Sequence, residues 1–309
     1  MKKSLSILFL ILLLAKPDWA FTGAKNGLVL WGMVILPALL PFMICSQTVV
    51  GLGAVPLLMK PFQPVLSHVL HLSRQGGYVF LSGLLCGYPM GAKTCREFLE
   101  NGLISKSEAQ YLLAVCNHPS PMFILGYVMS QIASVTGLST SIPPWKVLAA
   151  LYLPVFPMAL LAEQIYQKPA ASVPEMGQIE PGSAFSFDSA FLSCAETMVK
   201  IGGYIMLFSI IALYTAKLPL NVPFLRGAIL GTIEITTGIQ AIAGSVSGIP
   251  AVLLIVTTAA FGGISGIFQT RSVLGTKKNA GLSIRHYVLW KLLHGILSLI
   301  ILALFLIPY

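Results

Sequence analysis

The chain has 309 residues, of which 56% are hydrophobic and only 9% charged, with a mean hydropathy of +0.85. So little charge cannot cover a water-soluble domain, so the relevant unit is the bilayer crossing of about 20 residues, and the length has room for roughly eight to ten. The formal net charge of +9 is scattered through short connections, as expected where Lys and Arg set topology; no polar stretch is long enough for a basic nucleic-acid surface, which excludes that class of function.

At the amino terminus, Met1-Lys2-Lys3 and the apolar run 5–15 look like the start of a secretory signal. Lys16-Pro17-Asp18-Trp19 follows where a small-residue cleavage site would stand, so residues 1–26 are read as an uncleaved first membrane segment. Residues 27–53 are long enough to span, but Pro37 and Pro41 each remove a backbone donor and are expected to bend or break the helix. Residues 56–74, with Lys60, His68, His71 and Arg74, read as an interfacial helix.

The apolar run 78–86 stops at Gly87-Tyr88-Pro89-Met90-Gly91-Ala92-Lys93, which predicts a broken helix or a hairpin tip. Ser105 and Glu108 have the spacing of a capping box and mark a new helix start. That helix is interrupted at Asn117-His118-Pro119-Ser120-Pro121, because two prolines within three residues cannot sit in an intact ladder, and it resumes over 122–132. A last segment, 145–165, closes this half, and a polar linker covers 167–186.

The second half repeats the order, with apolar segments 187–214, 224–242, 250–268 and 286–307. Its breaks fall at 231–238, around Glu234, and at Gly262-Gly263-Ile264-Ser265-Gly266. Laid side by side, Gly83 and Gly87 fall opposite Gly227 and Gly231, and Leu112, Leu113 and Val115 opposite Leu253, Leu254 and Val256. The fold class is therefore an all-α polytopic membrane protein of two structural repeats, 27–166 and 187–309, with interrupted (broken or re-entrant) helices. Paired interruptions of this kind point to a transporter site near the bilayer midplane. The basic cluster Arg271, Lys277, Lys278 and Arg285, together with Lys2 and Lys3, is expected on the cytoplasmic side.

Ionisable side chains inside membrane segments cost roughly 2.5–3.5 kcal/mol at the centre on insertion scales, which singles out Glu234, Lys93 and His118. Glu234, flanked by Thr236 and Thr237, reads either as a solute or proton/cation site or as a protonated acid bonded to a neighbouring helix. Lys93, at the matching break, balances an anion, pairs with Glu234, or snorkels to the headgroups. Asn117 is preferred to His118, because its amide offers donors and acceptors to a polar ring. The breaks make two half-sites. Gly87, Tyr88, Pro89, Gly91 and Ser120 belong to the first, and Gly262, Gly263, Ser265 and Gln269 to the second, where the glycines permit close backbone approach or simply close helix packing. Glu196 and Lys200 have the spacing of an ordinary helix ion pair. The five cysteines form no CxxC and read as small buried hydrophobes. Neither H-E-x-x-H, G-x-S-x-G nor a Walker A sequence occurs, so no enzyme, metal or cofactor is expected.

Five of these motifs together resemble the sporulation integral membrane protein YlbJ family: 87–93, the 117–121 break followed by Phe123, Ile201-Gly202-Gly203-Tyr204 leading into Phe208-Ser209, Gly231 to Glu234 with Thr236, and 261–265 with Gln269. The resemblance runs from residue 27 to the end and implies a nucleoside-recognition, or Gate, domain with an architecture similar to concentrative nucleoside transporters. It further implies a secondary transporter or facilitator of a small polar aromatic anion such as dipicolinate, in a bacterial cell membrane and specifically the outer forespore membrane. A membrane scaffold of spore-envelope assembly and a nucleoside-type transporter remain alternatives. The implied partners are a small anion or nucleoside-like solute, the lipid bilayer and a coupling proton or cation, with a homo-oligomer compatible and nucleic acid excluded.

Overall fold

The computed structural model describes residues 2–137, 142–166, 186–275 and 282–307. All of the polar linker except Ser186, as well as Lys277 and Lys278 of the basic cluster, lies outside the described residues. Among those described, every regular element is a helix, and five stretches are long and apolar enough to cross a bilayer.

Helix α1 (Lys2–Ala15) is separated by Lys16 from α2 (Pro17–Leu30), which runs through a wide turn, Trp31–Ile35, into α3 (Leu36–Gly51). The two prolines do not break this segment, which is continuous over Pro17–Gly51. Pro37 sits in the first turn of α3, and Leu36 N–H reaches back five residues to Trp31 O, so the ladder widens where proline would clash with it. The expected interfacial helix is two short ones, α4 (Val55–Met59) and α5 (Gln63–Val69), which expose Leu57, Val65 and Val69, with Phe62 exposed between them.

Helices α6 (Arg74–Cys86) and α7 (Met90–Glu100) pack on one another as a hairpin. Side chains would prevent this, since a Cβ on Gly83 would lie 2.9 Å from the Cα of Gly91. Helix α8 (Lys106–Val115) starts as its spacing demands, with Ser105 Oγ accepting from Glu108 N–H at 3.1 Å. The box is not reciprocal, however, because Glu108 Oε1 accepts instead from Ser73 N–H at 2.9 Å and ties the start of α8 to the start of α6. After the break come α9 (Pro121–Phe123), a wide turn Ile124–Val128 and α10 (Met129–Thr136), and then α11 (Pro144–Tyr152) and α12 (Val155–Tyr166), which together form one span.

The second half contains α13 (Phe187–Ala216), α14 (Pro223–Ile233), α15 (Ile235–Ala243), α16 (Gly248–Phe261), α17 (Gly263–Leu274) and α18 (Ile284–Leu306). Helices α14 and α15 form a second hairpin, closed where Gly238 meets the backbone of Gly231, whereas α16 and α17 continue as one broken span. Each half thus presents a long helix, a hairpin, a broken helix and a closing span.

The halves are joined face to face by α2 and α13. Gly23 and Gly27, four apart, let the backbones meet, with a Cβ on Gly23 lying 2.7 Å from Ile210 Cα and one on Gly27 lying 2.9 Å from Met206 Cα. Four cysteines are buried as expected, but Cys45 is exposed, because it lies on the outer face of α3. Glu196 and Lys200 pair on the exposed side of α13.

Candidate functional site

In each half the hairpin tip is seated against the break of the helix that follows. In the first, Tyr88 N–H donates to His118 O at 3.0 Å, and a Cβ on Gly87, whose φ is +78°, would lie 2.9 Å from Ser120 N. Gly83 and Gly91 both press on the Cys116 carbonyl, which the break has freed from its ladder. In the second, Gly263 at φ +68° lies against Gly231 O, Ile233 O and Ile235 N, all at 3.3–3.4 Å from where its Cβ would stand. At Gly87 and Gly263 glycine supplies both space and positive φ, and at Gly83 and Gly91 space alone.

Between the tips lies a narrow cleft of about 30 Å³, walled by Ile35 at the end of the wide turn, Ala38 and Leu39 of α3, Ile201 and Ile205 of α13, and Phe123 and Ile235. Its polar lining comes from Gly87, Tyr88, Ser120, Glu234 and Gln269, all anticipated from sequence, with Pro119 beside them. An apolar cleft with a few convergent polar groups is the usual make-up of a small-molecule site.

Glu234 caps α15. Its Oε2 accepts from Thr236 Oγ1 and from Thr237 N–H, both at 2.7 Å, while Oε1 is buried without a partner. Thr236 and Thr237 therefore serve the carboxylate directly, and each is anchored in turn: Tyr127 OH donates to Thr236 O at 2.7 Å, and Thr237 Oγ1 lies 2.8 Å from Ser209 Oγ. Ser120 is the corresponding cap in the first half, accepting from Phe123 N–H at 3.2 Å. The N-terminal ends of two helical segments thus face the cleft.

Other expected site residues lie behind this wall. Lys93 does not meet Glu234; it donates to Ser193 at 3.1 Å and lies 3.7 Å from Glu97 on its own helix. Pro89 stands immediately before α7, and Ser265 Oγ accepts from Nε2 of the cleft-lining Gln269 at 3.1 Å. Gly262, in the left-handed conformation at the break between α16 and α17, faces the ring of Tyr88. Asn117 Nδ2 donates to Tyr287 OH at 2.8 Å and to Thr270 Oγ1 at 3.2 Å, which leaves its Oδ1 unpartnered. His118 is buried, and its ring lies 4.9 Å from that of His294.

Two residues the sequence reading passed over complete the cluster. Lys291 and His294 lie one turn apart on α18, both buried. Lys291 Nζ donates to Asn117 O at 3.2 Å, lies 3.3 Å from His294 Nδ1, and sits 5.4 Å from the centre of the Tyr88 ring. Their signal was present: ionisable groups three apart inside an otherwise apolar span are functional candidates by default.

Among curated proteins, the chain is 24% identical over 325 aligned residues to the sporulation integral membrane protein YlbJ of Bacillus subtilis (strain 168), a match covering 92% of this chain and 76% of that one. The likeness extends over nearly the whole chain and supports membership of the YlbJ family. No family model matches it, and no solved structure does. Like its YlbJ relative it is an integral membrane protein, in keeping with its five long apolar spans.

Proposed function

We propose that this YlbJ-family protein is a secondary transporter or facilitator of a small polar aromatic anion of the dipicolinate type, working during spore formation in a membrane such as the outer forespore membrane. The observation that carries the reading is the cleft between the two hairpin tips, with Glu234 and Ser120 capping helix starts at its wall. Irregular backbone is tolerated at membrane depth where it is buried in protein or lines a cavity, and helix N-terminal ends aimed at a cavity suit anionic groups. The apolar walls would hold a ring, and the unpartnered Glu234 Oε1 would orient it or take up a coupling proton.

Uptake of labelled dipicolinate by proteoliposomes tests this. Wild-type protein is expected to give saturable uptake that dipicolinate inhibits more strongly than uridine. Glu234→Gln, whose amide oxygen can still accept from Thr236 and Thr237, is expected to reduce it by about tenfold or more while keeping the protein folded. Folded, inserted protein that carries neither dipicolinate nor a nucleoside under any imposed gradient would turn the assignment to a scaffold in spore-envelope assembly.

A further inference from the structure

An ionised lysine inside a membrane protein ordinarily has an acid beside it, because an unpaired charge in a low-dielectric interior is costly. Lys291 is only 3% exposed, and among the described residues no carboxylate lies within ion-pair distance of it. Its neighbours are a carbonyl oxygen, a histidine nitrogen and the face of an aromatic ring. That ring, Tyr88, is also part of the cleft wall, so a single side chain separates the cation from the cavity.

The polar atoms around this spot are incompletely used. Tyr88 OH, Asn117 Oδ1 and His118 Nδ1 are buried without partners. Buried groups left unpaired in this way call for a missing partner. Glycines border the Tyr88 ring: Cβ atoms on Gly262 and Gly266 would meet it at ordinary van der Waals distances, 3.6–3.9 Å, and the one on Gly262 would also reach Lys291 Cε at 3.9 Å.

We propose that Lys291 is the counter-charge for a carboxylate of the transported solute, and that Tyr88 covers it in the empty protein and yields to the solute's acid group. The ring face is a weaker partner for an ammonium than a carboxylate, so exchanging one for the other favours an anionic ligand over a neutral one of the same shape. This assigns to the last helix one of the roles that the sequence left open for Lys93, which is already engaged with Ser193 and Glu97. The inference rests on the transport reading and narrows its ligand class to carboxylates.

Calorimetric titration of the purified protein in nanodiscs with pyridine-2,6-dicarboxylate, with the neutral dicarboxamide as competitor, tests it. For the wild type the diamide is expected to bind about tenfold more weakly or worse than the diacid. Lys291→Met is expected to weaken diacid binding by about tenfold or more, Lys291→Arg by less than about fivefold, and Lys93→Met by less than about twofold. A diamide that competes as well as the diacid in wild-type protein, which requires no variant to fold, would overturn the inference. So would a folded Lys291→Met variant that binds the diacid like the wild type. In either case the transport reading stands as long as wild-type protein binds and carries the diacid; failure of both activities in the wild type removes that reading instead.

Discussion

The two hairpin tips solve the same backbone problem with different chemistry. At the first, Gly87 and Tyr88 abut the break at His118 and Ser120, and the nearby charge, Lys291, comes from the last helix of the other half. At the second, Gly231, Gly238 and Gly263 bring the backbones together, and the charge, Glu234, is part of the tip itself and caps the helix it begins. Close approach is a demand of the scaffold and so appears in both halves. The ionisable groups differ in kind, an acid within the second tip and a lysine from another helix beside the first.

If the scaffold is shared in this way, removing the close approach should hurt both halves alike. Gly83→Ala drives a methyl into the Cys116 carbonyl and Gly238→Ala drives one into the Gly231 backbone, and each is expected to cost about 3 kcal/mol or more, read as a lowered thermal transition in detergent. Sensitivity in only one half would break the comparison. The caps should differ more. Ser120 receives one backbone N–H and Glu234 receives a backbone N–H and a hydroxyl, so Ser120→Ala is expected to cost about 1 kcal/mol and Glu234→Ala about 2 kcal/mol. Equal losses would mean that the acid is not bearing on the helix start. Smallest of all, Gly203→Ala meets nothing within 4 Å and should leave stability within about 0.5 kcal/mol of wild type, separating glycines in open space from glycines that carry contact.

Much of the arrangement could be read from the chain. The breaks at 87–93, 117–121, around Glu234 and at 262–263 fall where Gly and Pro interrupt apolar runs, because those residues fail locally and their failure needs no knowledge of the fold. Five lining residues of the cleft, Gly87, Tyr88, Ser120, Glu234 and Gln269, came from the same reasoning. The prolines at 37 and 41 do not break the helix, since a wide turn ahead of them keeps it continuous at a register shift no composition reveals. Gly23 and Gly27 were passed over for the opposite reason: their spacing has meaning only once α13 is known to lie across them.

What the sequence determined by itself was therefore the membrane-embedded helical class, the order of segments and the positions of their interruptions, all of which follow from hydropathy and from residues that cannot continue a helix. Which lysine lies next to the cleft wall was decided only by the tertiary structure. Lys93 and Lys291 are equally conspicuous along the chain, but the folded helices give one to Ser193 and Glu97 and leave the other behind Tyr88 without an acid. A charge's role depends on what surrounds it in space, and at these two positions the surroundings come from segments about 100 and 170–200 residues away in sequence.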